Sequence, residues 1–151
     1  MGGMRTAAIA FVCLFAAVLP ARASKESIPT AEALARLEQR AAQAKPRDQC
    51  YLYTELVHGL TQQVAAQIAT DDTGQATATI RHINQIAPLI QHNLTRDSKR
   101  LKESELLLHD TTYRLSQMLH LLNGDDRASV QDTLKQLYHL NDELLTQVFT
   151  H

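Results

Sequence analysis

The sequence predicts an all-α protein, and three observations indicate this fold class. Apolar residues recur every three or four positions in several stretches, most plainly in 50–68, which is the spacing of one face of a helix. No stretch alternates apolar and polar residues with the β-branched enrichment that strands require. Turn-forming residues cluster at 71–74 and at 123–126, where helices end. We therefore expect an elongated antiparallel helical bundle of three long helices, with an up-down four-helix bundle as the alternative.

Residues 1–23 have the features of a cleavable signal peptide. Arg5 precedes an apolar run over 7–19, and Ala21-Arg22-Ala23 fits the small-x-small pattern of a processing site. The apolar run is shorter than the roughly 20 residues that a membrane-spanning helix needs. We therefore expect a protein exported to the periplasm or secreted, with residues 24–151 as a single helical-bundle domain and no membrane span in the mature chain.

The charge of the mature chain argues against partners that carry strong negative charge. The leader contains two of the 15 basic residues and none of the 16 acidic ones, so the mature net charge is about −3. This balance gives no general attraction for nucleic acid or for an anionic membrane surface. Cys50 is the single cysteine after the leader, and an internal disulfide in the mature chain is therefore excluded.

Two helices are predicted before the first group of turn residues. The first spans about 30–45 and is capped by Ser27 or Thr30, since a hydroxyl side chain satisfies free backbone N–H groups at a helix start. The second spans about 47–70. Pro46 either starts this second helix, where its missing N–H is not needed, or kinks one continuous helix.

The extent of the third helix is the main architectural question. It spans 73–122 and is either continuous or broken near residue 95. Leucines recur at an unbroken seven-residue interval from Leu94 to Leu122, a register that an intervening loop would have no reason to keep. Against continuity, residues 95–100 are wholly polar, and a continuous helix would be about 75 Å long. We expect a continuous helix, and a break near residues 93–98 in the four-helix alternative.

The last helix is predicted over 125–149. Gly124 ends the preceding segment, and Asp125 and Asp126 are favourable at a helix start because the helix dipole is positive there. Its apolar stripe contains the polar Asn141. A polar residue in an apolar seam is a feature that fixes the register of packed helices.

Glu55 and His58 are the first candidates for a metal site. Glu-x-x-His is the spacing with which carboxylate-bridged di-iron bundles point two ligands inward, and such a site needs a second pair and two further carboxylates. The nearest second pair, Glu105 and His109, is spaced four residues apart instead of three. Histidines at the edge of a core are more often ordinary polar residues. The favoured interpretation therefore has no metal and no cofactor, and these four residues belong to the alternative.

The expected function is that of an exported, non-enzymatic helical interaction or scaffold protein. The chain lacks the glycine-rich loops and acid-base sets that most enzymes need, while the leucine interval and Asn141 favour helix association. A metal- or haem-binding bundle that uses the histidines is the alternative, although no Cys-x-x-Cys-His motif for covalent haem is present. We expect a protein partner or a homodimer. The apolar residues expected to mediate this association are Val57, Val64, Ile83 and Ile90.

Overall fold

A computed structural model describes residues 26–150, which are helical over most of their length and contain no strand. The all-α class predicted from the sequence is therefore confirmed. No helix in this range is both long enough and apolar enough to cross a membrane. The predicted signal peptide, 1–23, lies outside the described residues. The five helices are α1 (Ala31–Gln43), α2 (Pro46–Ala69), α3 (Thr73–His92), α4 (Leu101–Met118) and α5 (Gly124–Phe149), and a short 3-10 turn, Leu119–Leu121, follows α4.

The first two helices are separate, and local interactions explain why. Thr30 caps α1, because its Oγ1 accepts a hydrogen bond of 3.1 Å from the N–H of Ala33. After α1, Lys45 has extended backbone angles, and Pro46 occupies the first position of α2. Pro46 therefore begins a new helix, where its missing N–H leaves no bond unmade, and does not kink a continuous one.

The prediction of one continuous helix over 73–122 is wrong. Helix α3 ends at His92 and α4 begins at Leu101, so the chain leaves the helical conformation within the region that the four-helix alternative proposed. The bridging segment, residues 93–100, has its own hydrogen bonds: the N–H of Thr95 donates to Ser98 Oγ at 2.9 Å, and the N–H of Ser98 donates to the Thr95 carbonyl at 3.1 Å. The polar side chains that interrupt the apolar pattern thus close a turn.

The bridging segment is also fixed to the start of α2. The N–H of Lys99 donates to the Arg47 carbonyl at 2.8 Å, and Arg47 Nε donates to the Asp97 carbonyl at 3.1 Å. Leu94 and Leu101, at the two ends of the segment, both pack against the core. The seven-residue leucine interval is therefore preserved because the segment returns the chain to the same core, and not because the helix continues.

All five helices contribute to one hydrophobic core. Helix α2 packs against α3 and α4, α5 packs against the same two helices, and α1 lies on α2. Asn84 of α3 also donates to the hydroxyl group of Ser129 and accepts from that of Thr133, both on α5. The residues expected to mediate association are all part of this core: Val57, Val64, Ile83 and Ile90 are at most 1% exposed. That prediction is wrong, because side chains buried within one chain cannot contact another.

Candidate functional site

The four residues of the metal hypothesis do not come together. Glu55 Oε2 lies 3.6 Å from Arg40 Nη2 of α1, and His58 faces α4 at Thr111. On α4, Glu105 is half-buried and His109 is exposed, and neither side chain makes a hydrogen bond or an ion pair with another residue of the 26–150 range. No group of three or more His, Cys, Asp or Glu side chains in the described part of the chain is arranged to hold a metal ion.

Both ring nitrogens of His58 are occupied by hydrogen bonds within the protein. Nε2 lies 3.3 Å from Gln62 Nε2, and Nδ1 lies 3.2 Å from Thr111 Oγ1. The Thr111 hydroxyl donates to the Leu107 carbonyl at 2.7 Å, so its oxygen is free to accept from a protonated Nδ1. With the Gln62 amide nitrogen directed at Nε2, the tautomer that fits these contacts accepts from Gln62 at Nε2 and donates to Thr111 at Nδ1. A metal would have to displace one of these bonds.

An arginine connects the N-terminal end of the described chain to α4 beside His58. Arg114 Nε donates to Asp110 Oδ2 at 2.6 Å, and Arg114 Nη2 donates to Glu26 Oε2 at 3.1 Å. The hydrogen bond to Asp110 is the largest contribution that raises the pKa of Arg114, against the opposing effect of burial. The same carboxylate oxygen of Asp110 lies 3.6 Å from His58 Nδ1. These contacts hold the segment before α1 over a cleft of about 290 Å³ that His58 lines.

A larger cleft of about 600 Å³, which we call the Tyr51 cleft, lies where the end of α1, the start of α2 and the bridging segment meet. The Tyr51 ring lies under the guanidinium group of Arg100, whose central carbon is 3.7 Å from the ring centroid. This distance is typical of a cation–π contact. The charged side chains that line the cleft are Arg40, Lys45, Asp48, Glu55, Lys99 and Arg100.

The charges in the Tyr51 cleft do not cancel. Two carboxylates face two of the basic groups, with Arg40 Nη2 at 3.6 Å from Glu55 and Lys99 Nζ at 3.6 Å from Asp48. These distances are longer than a hydrogen bond, so both pairs are loose. Lys45 has no ion pair with another described residue, and Arg100 Nε is 3.7 Å from Glu103 at the surface. The four basic and two acidic side chains of the lining leave a local excess of positive charge.

The backbone at Arg100 is strained. This residue is the N-cap of α4 with φ 57° and ψ 36°, the left-handed conformation that residues with a Cβ atom rarely adopt. Its side chain makes no capping hydrogen bond, and a cation at a helix N-terminus is disfavoured by the helix dipole. Both the backbone conformation and the helix dipole therefore disfavour arginine at this position.

The outer side of α5 carries a row of side chains spaced alternately three and four residues apart, which we call the outer α5 row. Tyr138 is 50% exposed and Phe149 is 83% exposed, although both are large and apolar. On the neighbouring α4, Leu106 and Tyr113 are also exposed and are seven residues apart, so they lie on one side of that helix. The members of the outer α5 row are Ala128, Gln131, Lys135, Tyr138, Asp142, Leu145 and Phe149.

Cys50 is a core residue and has no features of a nucleophile. The side chain is fully buried, and burial raises the pKa of its thiol from the ordinary 9.0 to about 12. Nucleophilic cysteines need the opposite shift, because the thiolate is the reactive form. The thiol therefore stays protonated at neutral pH.

No family model matches this chain, and no curated protein or solved structure is significantly similar to it.

The sequence pattern did not identify Arg100, Tyr51 or the outer α5 row as functional residues. Arg100 belongs to a polar stretch that resembles an ordinary charged helix face, and its contact with Tyr51 joins distant parts of the chain. The outer α5 row could have been found from the sequence. Tyr138 and Phe149 fall outside the buried stripe of Val130, Leu134, Leu137 and Leu144, which leaves them on the solvent side of the helix.

Proposed function

We propose that the mature chain is an exported, non-enzymatic interaction protein that forms a homodimer through the outer α5 row. In this proposal α2 to α5 form an up-down four-helix bundle, and α1 lies against one side of it. The observation that carries the proposal is the exposure of aromatic side chains on a helix whose opposite side is fully used in the core. Tyrosine and phenylalanine are enriched in protein interfaces and are costly to leave in water.

The second copy is the proposed partner because the outer α5 row is complementary to itself. If two α5 helices pair antiparallel about a point between Tyr138 and His139, Lys135 of one copy faces Asp142 of the other. The same register places the small Ala128 opposite the large Phe149. A two-fold axis generates each of these pairs twice, as a closed homodimer requires.

The closed core supports this choice of surface. A chain with an incomplete core would associate in order to bury it, but the core-facing apolar residues of the four longer helices are already covered within one copy. Association therefore has to use side chains that remain exposed. The ion pair between Lys135 Nζ and Asp132 Oδ1, 3.6 Å apart, does not oppose this use, because both side chains are 80% exposed and such pairs contribute little to stability.

Sedimentation equilibrium of the mature protein tests the proposal. We expect a dimer whose dissociation constant rises at least tenfold in Lys135→Glu, because this variant places a second carboxylate opposite Asp142 at two symmetric positions. The double variant Lys135→Glu/Asp142→Lys should restore the wild-type dissociation constant. Within one copy the two residues are seven positions apart, so such a rescue reports a contact between copies.

The matched control is Asp132→Ala, which removes the surface ion pair of Lys135 and should leave the dissociation constant unchanged. A monomer at every concentration would contradict the proposed dimer. Failure of the double variant to restore association would contradict the proposed register. Export is tested separately by N-terminal sequencing of protein recovered outside the cytoplasm, which should begin at Ser24.

A further inference from the structure

We propose that the Tyr51 cleft binds a small soluble organic phosphate, with Arg100 and Lys45 contacting the phosphate and the cleft walls contacting the organic part. The proposal is independent of dimer formation, since α5 contributes no residue to this cleft. It rests on the charge of the lining, on the orientation of Arg100 and on the backbone conformation that Arg100 adopts.

The charge of the cleft matches a dianion. The lining has two more basic than acidic side chains, with Arg40 facing Glu55 and Lys99 facing Asp48. Lys45 has no ion pair with another described residue, and the carboxylate nearest to Arg100, Glu103 at 3.7 Å, does not line the cleft. A phosphomonoester carries between one and two negative charges at neutral pH and presents three acceptor oxygens. Because the two internal pairs are loose, Arg40 and Lys99 can also turn toward a bound anion without breaking a hydrogen bond.

Arg100 is oriented for such a ligand before it binds. Stacking on Tyr51 uses the face of the guanidinium group and leaves its N–H donors at the edge of the plane. No hydrogen bond joins this guanidinium to another residue of the 26–150 range. A planar donor group held by an aromatic ring loses little conformational freedom on binding, and its geometry matches two oxygens of a phosphate.

The backbone at Arg100 supports a role for its side chain. Glycine would adopt φ 57° without strain, and asparagine would tolerate it better than arginine. An arginine at this N-cap also opposes the dipole of α4. Strained residues of this kind cluster at functional sites, and here the strained residue is the one that places a cation over Tyr51 in the Tyr51 cleft.

The size of the cleft indicates a ligand larger than inorganic phosphate. A volume of about 600 Å³ falls within the range of small-molecule sites. Ala44 and Leu52 provide apolar wall beside the charged groups. A phosphate attached to a small ring or short carbon chain would use both kinds of surface, which a bare anion would not.

Titration calorimetry of the mature protein with phenyl phosphate tests the proposal, with inorganic phosphate as the comparison. We expect saturable binding of phenyl phosphate that is tighter than that of inorganic phosphate and that weakens as salt is added. Arg100→Gly should weaken binding at least tenfold without lowering the melting temperature, because glycine relieves the strained backbone. This combination separates a ligand contact from a structural role, because loss of a structural residue would lower both the affinity and the melting temperature.

Lys45→Ala is the second variant, since Lys45 is exposed, makes no side-chain capping bond and should not affect folding. It should weaken binding at least threefold. Asp71→Gly is the matched control. Asp71 also has a positive φ, of 59°, but it follows the end of α2 that is far from the cleft, so binding should not change.

No binding of phenyl phosphate, or equal binding by wild type and both cleft variants, would overturn the proposal. If the protein cosedimented with phosphatidate vesicles but did not bind phenyl phosphate, the result would overturn the proposal in favour of a lipid headgroup.

Discussion

Gly59 shows how one residue sets the distance between two helices. A Cβ atom at this position would lie 2.6 Å from Leu34 Cδ2 and 3.3 Å from Pro29 Cγ, so α1 approaches α2 more closely than a larger residue allows. Gly74, near the start of α3, is the opposite case, because nothing lies within 4 Å of its Cβ position. Both glycines are helical, and alanine would gain the same helix propensity of about 1 kcal/mol at either.

Replacing each glycine by alanine should therefore change stability in opposite directions. Gly74→Ala should raise the free energy of unfolding by about 0.5–1 kcal/mol. Gly59→Ala should lower it by about 1 kcal/mol, because displacing the buried Leu34 costs about 1–3 kcal/mol and exceeds the propensity gain. Urea denaturation of both variants measures the two changes, and an equal increase in both would show that α1 can move away without loss.

Burial of Cys50 leads to a prediction about reactivity and pH. The native thiol should not react with iodoacetamide at pH 8 and should react once the protein is unfolded, because burial keeps it protonated. Since the pKa is raised from 9.0 to about 12 in the folded protein, folding binds this proton more tightly. The resulting stabilisation is complete below pH 9 and is lost as the pH rises toward 12.

The measurement for this prediction is thermal denaturation at about pH 8, 9.5 and 11, with Cys50→Ala as the comparison. The wild type should lose more stability across this series than the variant, which has no thiol to titrate. Parallel pH dependence in the two proteins would count against a protonated, buried thiol.

At the scale of the elements, the bridging segment between α3 and α4 depends on a buried serine. Ser98 is 9% exposed, and its hydroxyl oxygen accepts from the N–H of Thr95 while the hydroxyl lies 3.4 Å from the Asn93 carbonyl. Ser98→Ala should lower the free energy of unfolding by about 1–2 kcal/mol, because it leaves a backbone donor without its partner. Ser116→Ala, within α4, should be neutral or slightly stabilising, since alanine has the higher helix propensity. Chemical denaturation of the two variants distinguishes loss of the specific turn at Ser98 from a general effect of removing a hydroxyl group.

The favoured interpretation of the sequence predicted most of the helix ends but not this one, which only the four-helix alternative included, and the reason is physical. The ends near 71–74 and 123–126 are marked by residues that favour turns in any context. The bridging segment that follows α3 is held by hydrogen bonds from Arg47 to Asp97 and from Lys99 to Arg47, which lies far away along the chain, and no local pattern reports them. The same limit applies to the site. His58 was identified as notable from its spacing to Glu55, but its partners, Thr111 and Gln62, were apparent only from the packing of α4 on α2.

For the whole molecule, closure of the core within one chain separates folding from association. Ile83→Glu should unfold the protein, because it places a charge among side chains that are almost fully buried and leaves it without a partner. Lys135→Glu should leave the circular dichroism and the melting temperature of the monomer unchanged while it weakens association. If Ile83→Glu instead gave a folded monomer with altered association, the core would not be closed as described.

The attachment of α1 has a consequence for local unfolding. This helix packs on α2, and Glu38 Oε2 lies 3.0 Å from His82 Nε2 of α3, whereas each of the other four helices packs on at least two others. The amide hydrogens of α1 should therefore exchange with deuterated solvent before those of α2 to α5, through an opening that leaves the other four helices packed together. Arg40 and Gln43, which line the Tyr51 cleft, would move with α1, so a ligand held in the cleft should slow exchange in α1 selectively. The rate at which α1 opens would then limit how fast such a ligand enters and leaves.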